Sequence, residues 1–233
     1  MDESWLPGGF LGVDVFFTLS GFLITSLLLA ELDASSKVDF KRFYIRRARR
    51  LLPALYLVLV ATSIAAMTIA QDAAQRVKED AIAAFFYVTN WWYVLHGQSY
   101  FEATGRPPML QHLWSLAVEE QFYLVWPAIA FLVVRQAGRR GVRIVALVLA
   151  VLSTAWMITL SVRNGFPEYA DPSRAYFGTD SHAMGLLVGA ALATAIYSDN
   201  SAGWIAPSLV KAIADDAMKA CDTLGGLADG VVS

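Results

Sequence analysis

Residues 113–134 are apolar over the length of a bilayer, yet two adjacent glutamates, Glu119 and Glu120, stand inside the run. A helix needs about 20 apolar residues to cross a membrane, so this stretch defines a span. An ionised acid near the bilayer centre costs about 2.5–3.5 kcal/mol on insertion scales. The pair must therefore face the protein interior, a cation or a water-filled cavity, and residues 111–127 read as the wall of a site. Glutamates held at the membrane interface are the alternative. His112 lies seven residues before Glu119, so the two side chains look into one cavity if the helix reaches back that far.

Further apolar runs occupy residues 9–30, 51–70, 144–162 and, rich in Gly and Ala, 185–197. Residues 81–95 are apolar over a stretch too short for a span, and carry Asn90 before the interface-seeking Trp91, Trp92 and Tyr93. The expected fold is all-α: a polytopic integral membrane helix bundle of about five spans plus one short re-entrant or interfacial helix. A hydrophobic share of 57% against 16% charged residues excludes a soluble domain. The single cysteine, Cys221, excludes an internal disulfide and a Cys-based metal cluster. His96, His112 and His182 are scattered without metal-ligand spacing, so no metal is expected, and His96 and His182 read as interfacial or supporting residues. The net charge of −2 gives no sign of a nucleic-acid partner, and none is expected. Residues 1–4 are acidic and lack the basic leader of a signal peptide, so the first apolar run reads as a retained helix. After Asp199 the chain turns polar, which suggests a membrane domain over residues 1–198 and a peripheral tail over 199–233, with an amphipathic helix at 207–224. No Walker or dinucleotide loop, serine elbow or internal repeat is present, and the last absence argues against a transporter.

Charge sets the orientation. Seven of the twenty residues 31–50 are Lys or Arg, and Arg135, Arg139, Arg140 and Arg143 follow the glutamate-bearing helix. The positive-inside rule makes both segments cytoplasmic loops, with 163–176 external. Two full spans must separate them, which holds if 81–95 dips in and returns; an odd helix count with one exceptional loop competes. Pro53 falls in the first turn of a helix entering at Leu51, and residues 71–80 read as a short charged loop. Ahead of Leu51, Arg46 with Arg49 and Arg47 with Arg50 share faces at i, i+3. Arginine at that spacing forks phosphate oxygens, while basic residues there also serve topology and anionic lipid alone. Asp14, followed by Thr18, Ser20, Gly21, Thr25 and Ser26, calls for a polar pocket or a partner arginine, and reads equally as structural or catalytic. Asp180, at a membrane boundary, is an N-cap or a site residue.

Four motifs in order carry a resemblance. They are Gly8-Gly9-Phe10-Leu11-Gly12-Val13-Asp14-Val15-Phe16-Phe17 with residues 20–25, Phe43-Tyr44 and the arginines before Leu51-Leu52-Pro53, His112 with Trp114-Ser115-Leu116 and Glu119-Glu120-Gln121-Phe122-Tyr123, and Gly178-Thr179-Asp180. Over about residues 8–195 the chain resembles the membrane-bound acyltransferase-3 family. The resemblance implies a multi-pass enzyme of the bacterial inner membrane with no bound cofactor. It would move an acyl group, commonly acetyl, from cytoplasmic acyl-CoA as co-substrate to a hydroxyl of a glycan or lipid-linked sugar, among membrane lipids. Arg46, Arg47, Arg49 and Arg50 would then meet coenzyme A, and His112, Glu119, Glu120 and Asp14 would handle protons, with Ser20 and Asp180 as further polar site residues. Relatives begin with one more helix that bears the presumed histidine base and continue for several helices beyond residue 198. The expectation is a chain truncated at both ends that inserts in the membrane without transferring acyl groups. A non-catalytic module that binds acyl-CoA or a partner subunit is the alternative reading.

Overall fold

The computed structural model describes residues 11–35, 37–101, 108–166 and 169–198. Residues 1–4, the Gly8–Phe10 end of the first motif, Cys221, the polar tail and its helix at 207–224 lie outside the described residues. The chain divides into two units, Met1–Ala195 and Ile196–Ser233, and the helices and sites below belong to the first, apart from the last turn of α8. Every regular element among the described residues is helical: α1 (Leu11–Ser35), α2 (Phe40–Thr68), a 3-10 turn (Gln71–Ala73), α3 (Ala74–Phe85), α4 (Thr89–Leu95), α5 (Leu113–Asn164), α6 (Ser173–Phe177), α7 (Thr179–His182) and α8 (Met184–Ser198).

Helices α1, α2 and α5 are long and apolar enough to cross a membrane. The 52 residues of α5 are interrupted at Gly138, whose φ of 66° and ψ of −169° leave the helical region. The two halves fold back on each other. Thr179 Oγ1 donates to Gln121 Oε1 (2.6 Å) in the first half, and Ser153 Oγ in the second half donates to the carbonyl of the next residue, Asp180 (2.8 Å). In an unbroken helix Gln121 and Ser153 would stand about 48 Å apart. A Cβ on Gly141 would meet Val133 Cγ1 at 3.2 Å, so the reversal is tight. With α8, the long apolar helices among the described residues number five: α1, α2, the halves of α5, and the 15-residue α8.

Two expected loops are helical instead. Helix α2 begins at Phe40 rather than Leu51, because Asp39 caps it by accepting from the Arg42 N–H (2.9 Å) and the following Arg, Ala and Leu residues are strong helix formers. The arginines therefore stand on the helix, Pro53 lies in its interior, and the connection from α1 shrinks to residues 36–39. The charged segment 71–80 forms the 3-10 turn and the start of α3. The short apolar segment 81–95 is split between α3 and α4 by a turn in which Tyr87 adopts φ 54°. At 12 and 7 residues, these helices are about 18 and 10 Å long, well short of a bilayer core of about 30 Å.

Glycine brings α1 and α8 together. A Cβ on Gly21 would collide with the Leu186 carbonyl, and one on Gly189 with the Thr18 carbonyl. Helices in lipid gain little from burying apolar surface, so close backbone approach of this kind is a main source of packing energy. Helix α1 also lies parallel to the first half of α5: Phe17 meets Trp114, Ser20 meets Glu119, and Trp126 Nε1 donates to Thr25 Oγ1 (2.9 Å). Helix α2 runs the opposite way, with Phe40 against Phe131, the Tyr44 hydroxyl on the Leu124 carbonyl (2.9 Å), and Arg47 against Glu120.

Candidate functional site

The two glutamates find different partners. Glu120 is forked by Arg47, whose Nη2 donates to Oε1 at 2.5 Å and whose Nε reaches both oxygens at 3.1 and 3.2 Å. The same guanidinium lies 3.8 Å from Glu119 Oε1 and 3.3 Å above the Tyr123 ring. Glu119, 7% exposed, accepts a hydrogen bond from Ser20 Oγ, which also pairs with the Tyr123 hydroxyl. Tyr123 Oη donates in turn to the Ser20 carbonyl (3.2 Å). Fixed by three helices, this node offers a carboxylate, two hydroxyls and one cation. It can pass a proton between Glu119 and the hydroxyls while Arg47 offsets one of the two negative charges.

The node opens into a groove of about 850 Å³ that follows one face of α1 from Phe16 to Ser35. Its second wall is the arginine stripe of α2: Arg42, Arg46, Arg47 and Arg50. Three of these repeat at i, i+4 and so share a face over about 12 Å of helix. Leu19, Leu23, Ile24 and Leu27 make the opposite wall apolar. The groove thus joins an anion-attracting side, an apolar side and a proton-bearing floor.

Sequence spacing located some of these residues and missed others. Arg46, Arg47, Arg50, Ser20 and Glu119 line the groove, with Glu120 behind Arg47. Arg49 lies on another face of α2, in a depression with Ile45, Leu52 and Tyr56. His112 is not brought to Glu119: α5 starts at Leu113, and His112 is exposed in a separate recess. Among the described residues Asp14 meets no arginine; its Oδ1 lies 3.0 Å from His182 Nε2. Asp180 is not the N-cap of α7, a position held by Gly178. It is clamped by Arg174 (3.0 and 2.8 Å) and Trp156 Nε1 (2.8 Å). Burial pushes the Asp180 carboxyl up, but Arg174, Trp156 and the Ser181 N–H outweigh it and hold the group below its ordinary value. Arg42 was legible as the i−4 neighbour of Arg46, and Tyr123 as the i+4 neighbour of Glu119. Gln121 ties the short helices to α5, donating to the Tyr87 carbonyl (2.8 Å) and Asn90 Oδ1 (3.0 Å); it stands in the third motif, which does not tell its partners. Of the two expectations for His182, interfacial or supporting, the structure favours the second: it is buried, with its Nε2 facing Asp14.

Comparison with known proteins follows the same lines. The model of a family described as "Acyltransferase domain" matches residues 2–213. The chain is 42% identical over 214 residues to the peptidoglycan O-acetyltransferase OatA of Listeria monocytogenes, covering 91% of this chain and 33% of that protein. It is 45% identical over 195 residues to the putative peptidoglycan O-acetyltransferase YrhL of Bacillus subtilis, covering 83% of this chain and 30% of that protein. A putative O-acetyltransferase of Staphylococcus aureus is 44% identical over 194 residues, with 83% and 31% covered. The chain thus spans about a third of the length of these relatives. No solved structure matches it. With its helical membrane bundle, its ordered motifs and a family match over nearly its whole length, the chain belongs to the acyltransferase-3 family of multi-pass membrane proteins.

Proposed function

We propose that this chain is the acyl-handling membrane part of a bacterial inner-membrane O-acyltransferase. It takes an acyl group, acetyl in the first instance, from cytoplasmic acyl-CoA and passes it to a hydroxyl of an envelope glycan or lipid-linked sugar. The names of its relatives favour peptidoglycan as the acceptor. The observation that carries the reading is the groove with an arginine stripe on one wall and Ser20, Glu119 and Tyr123 at its floor. Coenzyme A is a polyanion joined to a long, weakly polar arm that ends in a thioester. Arg42, Arg46 and Arg50 supply forks for its phosphates, the leucine-lined wall of α1 accommodates the arm, and the floor offers groups that exchange a proton as an alcohol displaces a thiol. Arg47 serves the carboxylates rather than the phosphates.

Equilibrium binding of radiolabelled acetyl-CoA to sealed vesicles tests the reading and its orientation together. Inside-out vesicles holding the chain are expected to bind, with displacement by coenzyme A and not by pantetheine, which lacks the nucleotide phosphates. Binding confined to right-side-out vesicles, or equal displacement by pantetheine, would contradict it.

A further inference from the structure

Helices α2 and α3 enclose a second groove of about 670 Å³, inside the range of ligand sites, about 300–1,000 Å³. The two helices run antiparallel: the 3-10 turn joins the end of α2 to the start of α3, and the Phe85 ring at the end of α3 meets Tyr56 at 5.9 Å. Leu55, Ala66, Val77 and Ala84 pack them together. Along α3 the lining changes in one direction. Gln75 and Lys78 stand near its start, Ile82, Phe85 and Phe86 near its end, and Leu59, Ser63 and Met67 form the α2 wall. Met67, Ile82, Phe85 and Phe86 are between 46% and 66% exposed, so an apolar patch faces outward here. The charge at the head of the groove is uncommitted. Arg76 donates to Gln98 and Glu79 accepts from Gln75 (2.7 Å), whereas Lys78 is exposed and enters no ion pair or hydrogen bond among the described residues.

We propose that this groove seats one anionic diacyl phospholipid, of the phosphatidylglycerol kind, with its phosphate at Lys78 and an acyl chain along Ile82, Phe85 and Phe86. The basic start of α2 sets that end at the cytoplasm, so the groove belongs to the outer leaflet. It extends from Leu59 to Met67, about 12 Å of helix, and so fits within half of a bilayer core of about 30 Å. A cation at the outer end, with aliphatic and aromatic surface below it, repeats the order of an amphiphile's parts. A polyanion such as coenzyme A would meet a single cation here. A wholly apolar ligand would leave that cation without a counter-charge. The site also bears on the carboxylate node, independently of how the donor binds. Helix α3 ends at the turn whose Tyr87 carbonyl accepts from Gln121 (2.8 Å), the neighbour of Glu120. A lipid that fills the groove therefore braces the hairpin of α3 and α4 against α5.

The test uses the 233-residue chain in phosphatidylcholine nanodiscs. Two photoreactive probes, phosphatidylglycerol and phosphatidylcholine with the same diazirine-bearing acyl chain, are added in turn at trace level, and labelled peptides are mapped by mass spectrometry. Residues 59–67 and 78–86 are expected to favour the phosphatidylglycerol probe about fivefold, the effect of one basic residue near a membrane surface. The exposed face of α5 at Val151, Leu152 and Ile158 serves as the bulk-lipid control and should take both probes equally. Lys78→Gln should bring the groove down to the ratio seen at α5, and Lys78→Arg should keep the preference. Doping the nanodiscs with phosphatidylglycerol should raise the melting temperature of wild type more than that of Lys78→Gln. A groove without preference, an equal preference at α5, or a preference that survives Lys78→Gln would overturn the proposal. Equal gains in melting temperature would contradict the bracing.

Discussion

Adjacent glutamates one helix position apart do different work, because a step of about 100° turns one toward Ser20 and the other toward Arg47. Glu120 is half of a part-buried ion pair, so removing one partner costs less than the about 3–5 kcal/mol of a fully buried pair, and less again because Glu119 stands close enough to share Arg47. Glu120→Gln is therefore expected to lower the melting temperature in detergent clearly. Glu119→Gln, which still accepts from Ser20, should melt close to wild type, and equal losses would contradict this division. That the two acids needed the protein interior, a cation or a water-filled cavity was legible from the cost of charge in a bilayer. That the cation is Arg47 was not, because the pair joins residues 73 apart and helical spacing speaks only of neighbours on one helix. His112 shows the same limit: its spacing to Glu119 is right, but the helix stops one residue short of it. At Asp180 the sign of a pH effect follows from the clamp. Its lowered pKa adds stability that is present above the ordinary carboxylate value, about 4, and is lost as pH falls through the folded value. The gap in melting temperature between wild type and Asp180→Asn should thus close on acidification. A gap that widens would refute the clamp.

Among the elements, the apolar runs gave the helices, and charge patterns misled at their ends. Arginine, lysine and alanine are as much at home in a helix as in a loop, so segments 40–50 and 74–80 are helical although composition suggested connections. The reversal within α5 rests on one residue, Gly138, flanked by arginines that mark a membrane boundary without telling how briefly the chain turns there. Contact between α1 and α8 depends on bare backbone, which gives a sharp contrast between two glycines. Gly189→Ala drives a Cβ into the Thr18 carbonyl, which cannot swing aside, and is expected to cost about 1–3 kcal/mol or more. Gly12→Ala, with nothing near its Cβ, should be neutral or add up to about 1 kcal/mol of stability. Thermal unfolding of both variants checks this, and equal effects would remove the glycine contact from the account.

At the level of the whole molecule, the membrane class and the family were legible in composition and ordered motifs. The groove was not, since it exists only where α1, α2 and α5 meet: parallel packing of α1 on α5 and antiparallel packing of α2 bring Arg47, Ser20 and Glu119 to one level. The arrangement also separates arginines that the sequence treats as one cluster, placing Arg46 and Arg50 in the groove and Arg49 outside it. Acetyl-CoA affinity of the purified chain, compared between the Arg46→Ala/Arg50→Ala double variant and Arg49→Ala, tests the central claim most directly. The account predicts a loss of about tenfold or more in the double variant, incomplete recovery with lysines at the same positions, and wild-type affinity for Arg49→Ala. Unchanged affinity in the double variant, or an equal loss from Arg49→Ala, would contradict it.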